Sequence, residues 1–273
     1  MTDWAAFAGV AVAVTLLLLL LARASQAAVG TPRPAPGEVR WLDQLEDGAD
    51  HLDAGGAPGP EPTSPFEASM GGPTSMSSVA LLVNVTFSQG LFAGLLVAGA
   101  WYTGVPASAF GAGPESLSVA ALAVGVGFGA ALSLANGVAG AAASALGYDP
   151  SEDLRELLAP DSPGGWILLL FVVLPFVAGF EELLFRGALV GALHAGFGWS
   201  PWLLAVVASA AFALGHGAQG PIGVVVTGVL GFVLAAGFIL TGSLLVVVVA
   251  HYLVNAVEFV VYEGFGLEPP FGP

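Results

Sequence analysis

The chain has 273 residues, of which 56% are hydrophobic and only 9% charged; 20 acids against five arginines and no lysine give a formal net charge of −15. Ordinary soluble domains carry about 25% charged residues, so this composition excludes a soluble globule and points to a multi-spanning membrane protein. Five basic residues cannot neutralise a phosphate backbone, which excludes nucleic acid as a partner, and the absence of cysteine excludes disulfides, thiolate metal sites and cysteine nucleophiles.

The first hydrophobic run, 4–22, meets the roughly 20 residues a crossing needs. Asp3 stands where a cleaved signal peptide would have its basic region, so a retained transmembrane helix is expected. Residues 24–77 are rich in Pro, Gly, Ala and acids and offer little apolar area for a core, which predicts a disordered linker. A short amphipathic helix around Trp41, Leu42 and Leu45 fits inside it, and His51 reads as a solvated histidine. Acid-rich, lysine-free segments of this kind stay hydrated when salt screens repulsion, the pattern of a salt-adapted surface. An ordinary acidic linker is the plain alternative.

Beyond the linker, apolar stretches run over 79–101, 117–146, 166–193, 202–214, 222–240 and 244–262. Trp101, Tyr102, Trp166, Trp199, Trp202 and Tyr262 lie near their ends, where amphipathic rings favour the membrane interface. Gly125, Gly127, Gly129, Gly137 and Gly140 mark the 117–146 stretch as a close-packing helix. Arg23, Arg33, Arg40 and Arg155 follow the first and third stretches, which places those segments on the cytoplasmic side. The expected fold is all-α, a polytopic transmembrane helix bundle of about seven or eight hydrophobic helices in a multi-pass cell-membrane protein. Its expected parts are an N-terminal helix at 1–23, the linker at 24–77, a membrane domain at 78–264 and a tail at 265–273.

Ionisable groups inside apolar stretches cost about 2.5–3.5 kcal/mol each on insertion scales, so they are the natural candidates for function. Here they are Glu181, Glu182, Arg186, His194, His216, His251 and Glu258, with the amide of Asn255. In "GFEELLFRG", Glu182 and Arg186 are four apart with the acid on the N-terminal side, the favourable order for a helical ion pair. Glu181 sits about 100° round the helix from its neighbour and is left free to act as a general base. His216 ends "AFALGH", just before Gly and Pro residues that should end the helix. His251 and Asn255 lie four apart in "HYLVN" and can aim an imidazole and a carboxamide at one point, as a site for charge developing on a carbonyl oxygen requires. Taken singly, each has a plain structural reading: a helix clamp, a core histidine, an amide bonded to the next helix. His194 and Glu258 have no comparable partner and read as interface or packing residues.

Together, "EELLFR" at 181–186, "FALGH" at 212–216 and "HYLVN" at 251–255 resemble the three motifs of the CPBP family, the CAAX proteases and bacteriocin-processing enzymes also called Abi-type proteins. The resemblance covers roughly 166–262. It implies an intramembrane endopeptidase whose partners are the lipid bilayer and a peptide or lipidated-protein substrate. It further implies that Glu181 activates a water held with His216, that His251 and Asn255 bind the oxyanion, and that Glu182 and Arg186 hold Glu181 in place. The family's metalloprotease label offers zinc on Glu181, His216 and His251 as a second version. The strong zinc signal His-Glu-x-x-His is absent and a water-activating glutamate needs no metal, which leans narrowly against one; no cofactor is firmly predicted, and zinc stays open as the alternative. One difficulty is that Glu181 and His251 fall mid-stretch whereas His216 falls at an end, which calls for a short, tilted or re-entrant helix. The competing functions are an ion- or proton-coupled transporter, disfavoured because no inverted repeat is visible, and a non-catalytic scaffold.

Overall fold

The computed structural model describes residues 1–29, 78–144, 155–156 and 158–267. Most of the expected linker, with Trp41 and His51, and the end of the tail lie outside the described residues. The described part is an all-α bundle of seven apolar helices: α1 (Trp4–Val29), α2 (Ser78–Thr103), α3 (Val119–Ser144), α4 (Pro163–Phe197), α5 (Pro201–Gly215), α6 (Gly220–Thr241) and α7 (Leu244–Gly264). Six are long and apolar enough to cross a membrane; α5, with 15 residues, is shorter. At about 1.5 Å per residue it rises roughly 22 Å, less than the ~30 Å of a hydrocarbon core. That shortness answers the depth difficulty, because a residue at the end of α5 need not lie at a membrane surface.

Local signals set the helix ends. Ser162 caps α4 by accepting from the Gly165 N–H, with Pro163 at the first helical position. Ser243 caps α7 in the same way through the Val246 N–H. Gly242 separates α6 from α7 with φ +64°, left-handed backbone that costs a glycine little. Around that turn the bundle is tied together: the Leu244 N–H donates to the Gly111 carbonyl and the Ser243 hydroxyl to the Ser116 carbonyl, both at 2.8 Å.

α4 is 35 residues long, roughly 50 Å if straight and therefore longer than one crossing requires. Two π-helical segments, Leu169–Val173 and Leu183–Ala192, interrupt its α-helical hydrogen bonding. Such widened turns are rare and concentrate at functional sites; the second begins directly after Glu182.

α1 is packed into the same core as the rest. Phe7, Ala11 and Val14 are buried together with Phe92, Phe110, Phe180, Phe185, Phe212 and Phe238, and the Phe7 ring meets Phe110 edge-on at 5.3 Å. α3 runs against α7 more extensively than any other pair of described elements. Gly125 and Gly129 make this possible. A Cβ on Gly125 would lie 2.9 Å from the Val246 carbonyl oxygen, and one on Gly129 would lie 2.9 Å from the Ala250 Cα. Gly127, Gly137 and Gly140 meet nothing within 4 Å, so only part of the glycine stripe serves close approach.

Candidate active site

The six candidate residues reach one region from three elements. Glu181, Glu182 and Arg186 sit on α4, His216 at the end of α5, and His251 and Asn255 one turn apart on α7. Glu181, His216, His251 and Asn255 line a cavity of about 300 Å³, which Glu182 and Arg186 do not.

Glu182 and Arg186 stand behind the wall, with side chains 0% and 1% exposed. Arg186 Nη1 donates to Glu182 Oε1 at 2.7 Å, and its Nη2 donates to the Gly231 carbonyl at 2.7 Å. The guanidinium also lies 4.8 Å from the centre of the Phe212 ring, a cation–π contact. Gly231 is needed for this approach, since a Cβ there would fall 3.0 Å from Phe212 and 3.4 Å from Arg186 Nη2.

His251 joins that pair from the facing helix. Its Nδ1 lies 2.7 Å from Glu182 Oε1. A carboxylate can only accept, so Nδ1 carries the hydrogen, and the ring's orientation is fixed from behind, as carboxylates commonly fix catalytic and ligating imidazoles. Nε2 then faces Glu181 Oε2 at 3.7 Å, an ion-pair distance too long for a direct hydrogen bond. His216 is fixed by its own helix: Nδ1 donates to the Phe212 carbonyl at 2.8 Å, leaving Nε2 available. Phe212 is the hub of the cluster, with His216, His251 and Phe185 at ring distances of 4.5, 6.0 and 5.1 Å.

The structure also gives places to residues that the sequence left as bystanders. Glu258, expected to be a packing residue, lines the cavity and pairs with Arg155 at 3.1 Å. Arg155 also reaches Glu263 at 3.1 Å, and Asn136 of α3 donates to Glu258 at 3.3 Å. Burial opposes the Arg155 charge, but the two carboxylates outweigh it and its pKa lies above the ordinary value. The spacing His251, Asn255, Glu258, Tyr262 is one helical stripe, and that periodicity was the available signal. His194 lies away from the cavity and hydrogen-bonds the Trp199 carbonyl through Nδ1 at 2.7 Å.

No group of three or more His, Asp or Glu among the described residues stands together in a way that could hold a metal ion, so Glu181, His216 and His251 do not fit a zinc triad as arranged.

No curated protein and no solved structure matches the chain. Residues 163–257, about a third of its length, match the family described as type II CAAX prenyl endopeptidase Rce1-like. That match takes in all three motifs, and with the apolar helices it marks a multi-pass membrane protein. Over residues 163–257 the chain is similar to the Rce1-like type II CAAX prenyl endopeptidases, a family of peptide-bond hydrolases.

Proposed function

We propose that this protein hydrolyses a peptide bond near the C-terminus of a prenylated, membrane-associated protein, using a water activated by Glu181. The observation that carries the reading is the convergence of Glu181, His216, His251 and Asn255 on one cavity, backed by the buried Glu182–Arg186 pair. Leu169, Val173, Leu174, Val177, Val226 and Leu230 supply an apolar wall suited to a lipid chain beside the peptide. Residues of α2 and α3, including Leu82 and Asn136, also line the cavity. These lining residues support a working domain that extends beyond the matched segment.

In this mechanism the water sits between Glu181 and Nε2 of His216. Glu181 takes a proton as the water oxygen attacks the scissile carbonyl carbon. Negative charge moves to the carbonyl oxygen, where Asn255 Nδ2 and His251 Nε2 donate to it. His251 can do so only as an imidazolium, because its Nδ1 hydrogen is already given to Glu182. Collapse of the tetrahedral intermediate breaks the C–N bond, and the amine leaves with the proton Glu181 had taken. Fixed donors aimed at that oxygen in a water-poor site are the largest expected contribution, and acid–base work by the glutamate adds about 10²–10⁴-fold. No step is routed through a metal.

The test is Glu181→Ala, assayed for cleavage of a farnesylated CAAX-type peptide in detergent and for ion flux in liposomes. Cleavage should fall by about 10³-fold or more, with no flux in either protein. Undiminished cleavage refutes the role of Glu181, and flux that depends on Glu181 would replace the protease by a transporter.

A further inference from the structure

Gln219 lies three residues beyond His216, in the tight turn Gly217–Gln219 that joins α5 to α6. Its backbone N–H donates to the His216 carbonyl at 3.0 Å, so its position is tied to that histidine. The next residue, Gly220, has φ +74° and ψ 177°, a backbone state that a side chain would strain.

The side chain is anchored as well. Gln219 Oε1 accepts the hydroxyl hydrogen of Thr227 at 2.6 Å, two turns into α6. This contact breaks a pattern in the bundle. Thr15, Thr86, Thr103, Ser133 and Thr241 each return their hydroxyl to the carbonyl four residues back on their own helix, the default for hydroxyl residues in apolar helices. Thr227 gives its hydroxyl to Gln219 instead, although it is buried. Both residues line the cavity that holds Glu181, His216 and Asn255. No described residue accepts from Gln219 Nε2, so an amide fixed at its oxygen end presents two N–H donors with no partner.

A peptide cut inside the bilayer poses the problem such donors solve. Its backbone must be extended at the cut, and its carbonyls lose both water and helical partners. We propose that Gln219 binds substrate, with Nε2 donating to a backbone carbonyl of the peptide next to the scissile bond, and that Thr227 is the positioning residue that aims it. Backbone recognition fixes the peptide's register over Glu181 and is indifferent to side-chain identity. This proposal rests on the protease reading above.

The experiment compares wild type, Gln219→Leu, Thr227→Val and Thr227→Ser on a farnesylated CAAX-type peptide, with Glu181→Ala as the inactive control. Loss of one uniform binding contact should raise KM about tenfold in Gln219→Leu and leave kcat within about twofold. Thr227→Val should shift KM in the same direction by less, and Thr227→Ser should restore it. A merely structural role would instead lower kcat or the active fraction. Should Gln219→Leu fail to fold, the Thr227 pair carries the same comparison. Binding of the labelled peptide to Glu181→Ala, with and without Gln219→Leu, gives a second reading free of turnover, again expected to weaken about tenfold. An unchanged KM in both Gln219→Leu and Thr227→Val, while wild type cleaves and Glu181→Ala does not, overturns the role of Gln219 and leaves the protease standing. Wild type that neither binds nor cleaves the peptide overturns both.

Discussion

His251 on α7 gives its Nδ1 hydrogen to Glu182 on α4 at 2.7 Å, so a ring on the cavity wall is oriented by a carboxylate buried behind it. The same oxygen, Oε1, takes the Arg186 hydrogen bond, also at 2.7 Å. Two adjacent glutamates thus do different work. Glu182 is sealed behind the wall and joins helices, whereas Glu181 faces the cavity.

That arrangement predicts a stability phenotype for Arg186. Glu182 Oε2 has no hydrogen-bond donor among the described residues, so the cation is the main compensation for a fully buried charge. Arg186→Leu should therefore destabilise the fold by about 3–5 kcal/mol, the usual cost of leaving one member of a buried pair behind. Adding Glu182→Gln removes the stranded charge and should recover part of the loss. The check is unfolding of the single and double variants in the same detergent. If the double variant is no more stable than Arg186→Leu, the pair is not coupled as described.

Asn255 should show the opposite profile. It lies on the cavity wall one turn from His251, and its proposed contact exists only when charge has moved to the carbonyl oxygen. Asn255→Ala is expected to lower kcat by about 10²–10³-fold with KM and folding nearly unchanged. A rise in KM at constant kcat would mean that Asn255 holds the ground-state substrate instead.

The features legible in the sequence were those written in lengths and short spacings. Apolar runs of sufficient length located the spans, because the bilayer fixes how long a crossing must be. Four-residue spacings paired Glu182 with Arg186 and set His251 with Asn255, and a helix turns that spacing into one face. What required a partner helix was not legible. Glu258 continues the His251–Asn255 stripe, yet its role depends on Arg155 and Asn136, more than a hundred residues away. The Gln219–Thr227 bond was hidden for a related reason: a turn and a helix meet there, and no period joins them. The π-helical turns of α4 leave no mark in residue composition at all.

The glycines of α3 show the same limit and yield a graded prediction. All five looked alike in sequence, but Gly129 faces the Ala250 backbone of α7 and Gly127 faces open space. Gly129→Val must push α3 off the helix that carries His251 and Asn255, and backbone atoms cannot yield as side chains do. A loss of about 1–3 kcal/mol in stability is expected, in the range of overpacked cores, accompanied by lower activity. Gly127→Val should leave both within error, and comparable damage from the two substitutions would contradict the packing described.

Chelation separates the two versions of the chemistry. Zinc would need three protein ligands with a fourth position open to water, and no such grouping of His, Asp or Glu is present among the described residues. The Nδ1 hydrogen bonds of His216 to the Phe212 carbonyl and of His251 to Glu182 suit a water-binding and a metal-binding imidazole equally, so the grouping of the ligands is what decides. A water held between Glu181 and His216 needs neither histidine to be a metal ligand. Enzyme dialysed against a strong chelator should therefore keep its rate within about twofold, since general acid–base work by a glutamate carries no metal requirement. Metal analysis of the same active sample should find less than one zinc per chain. A rate that collapses on chelation and returns with stoichiometric zinc would show that the cavity rearranges around a metal ion, with Glu181 as a ligand and no longer the base.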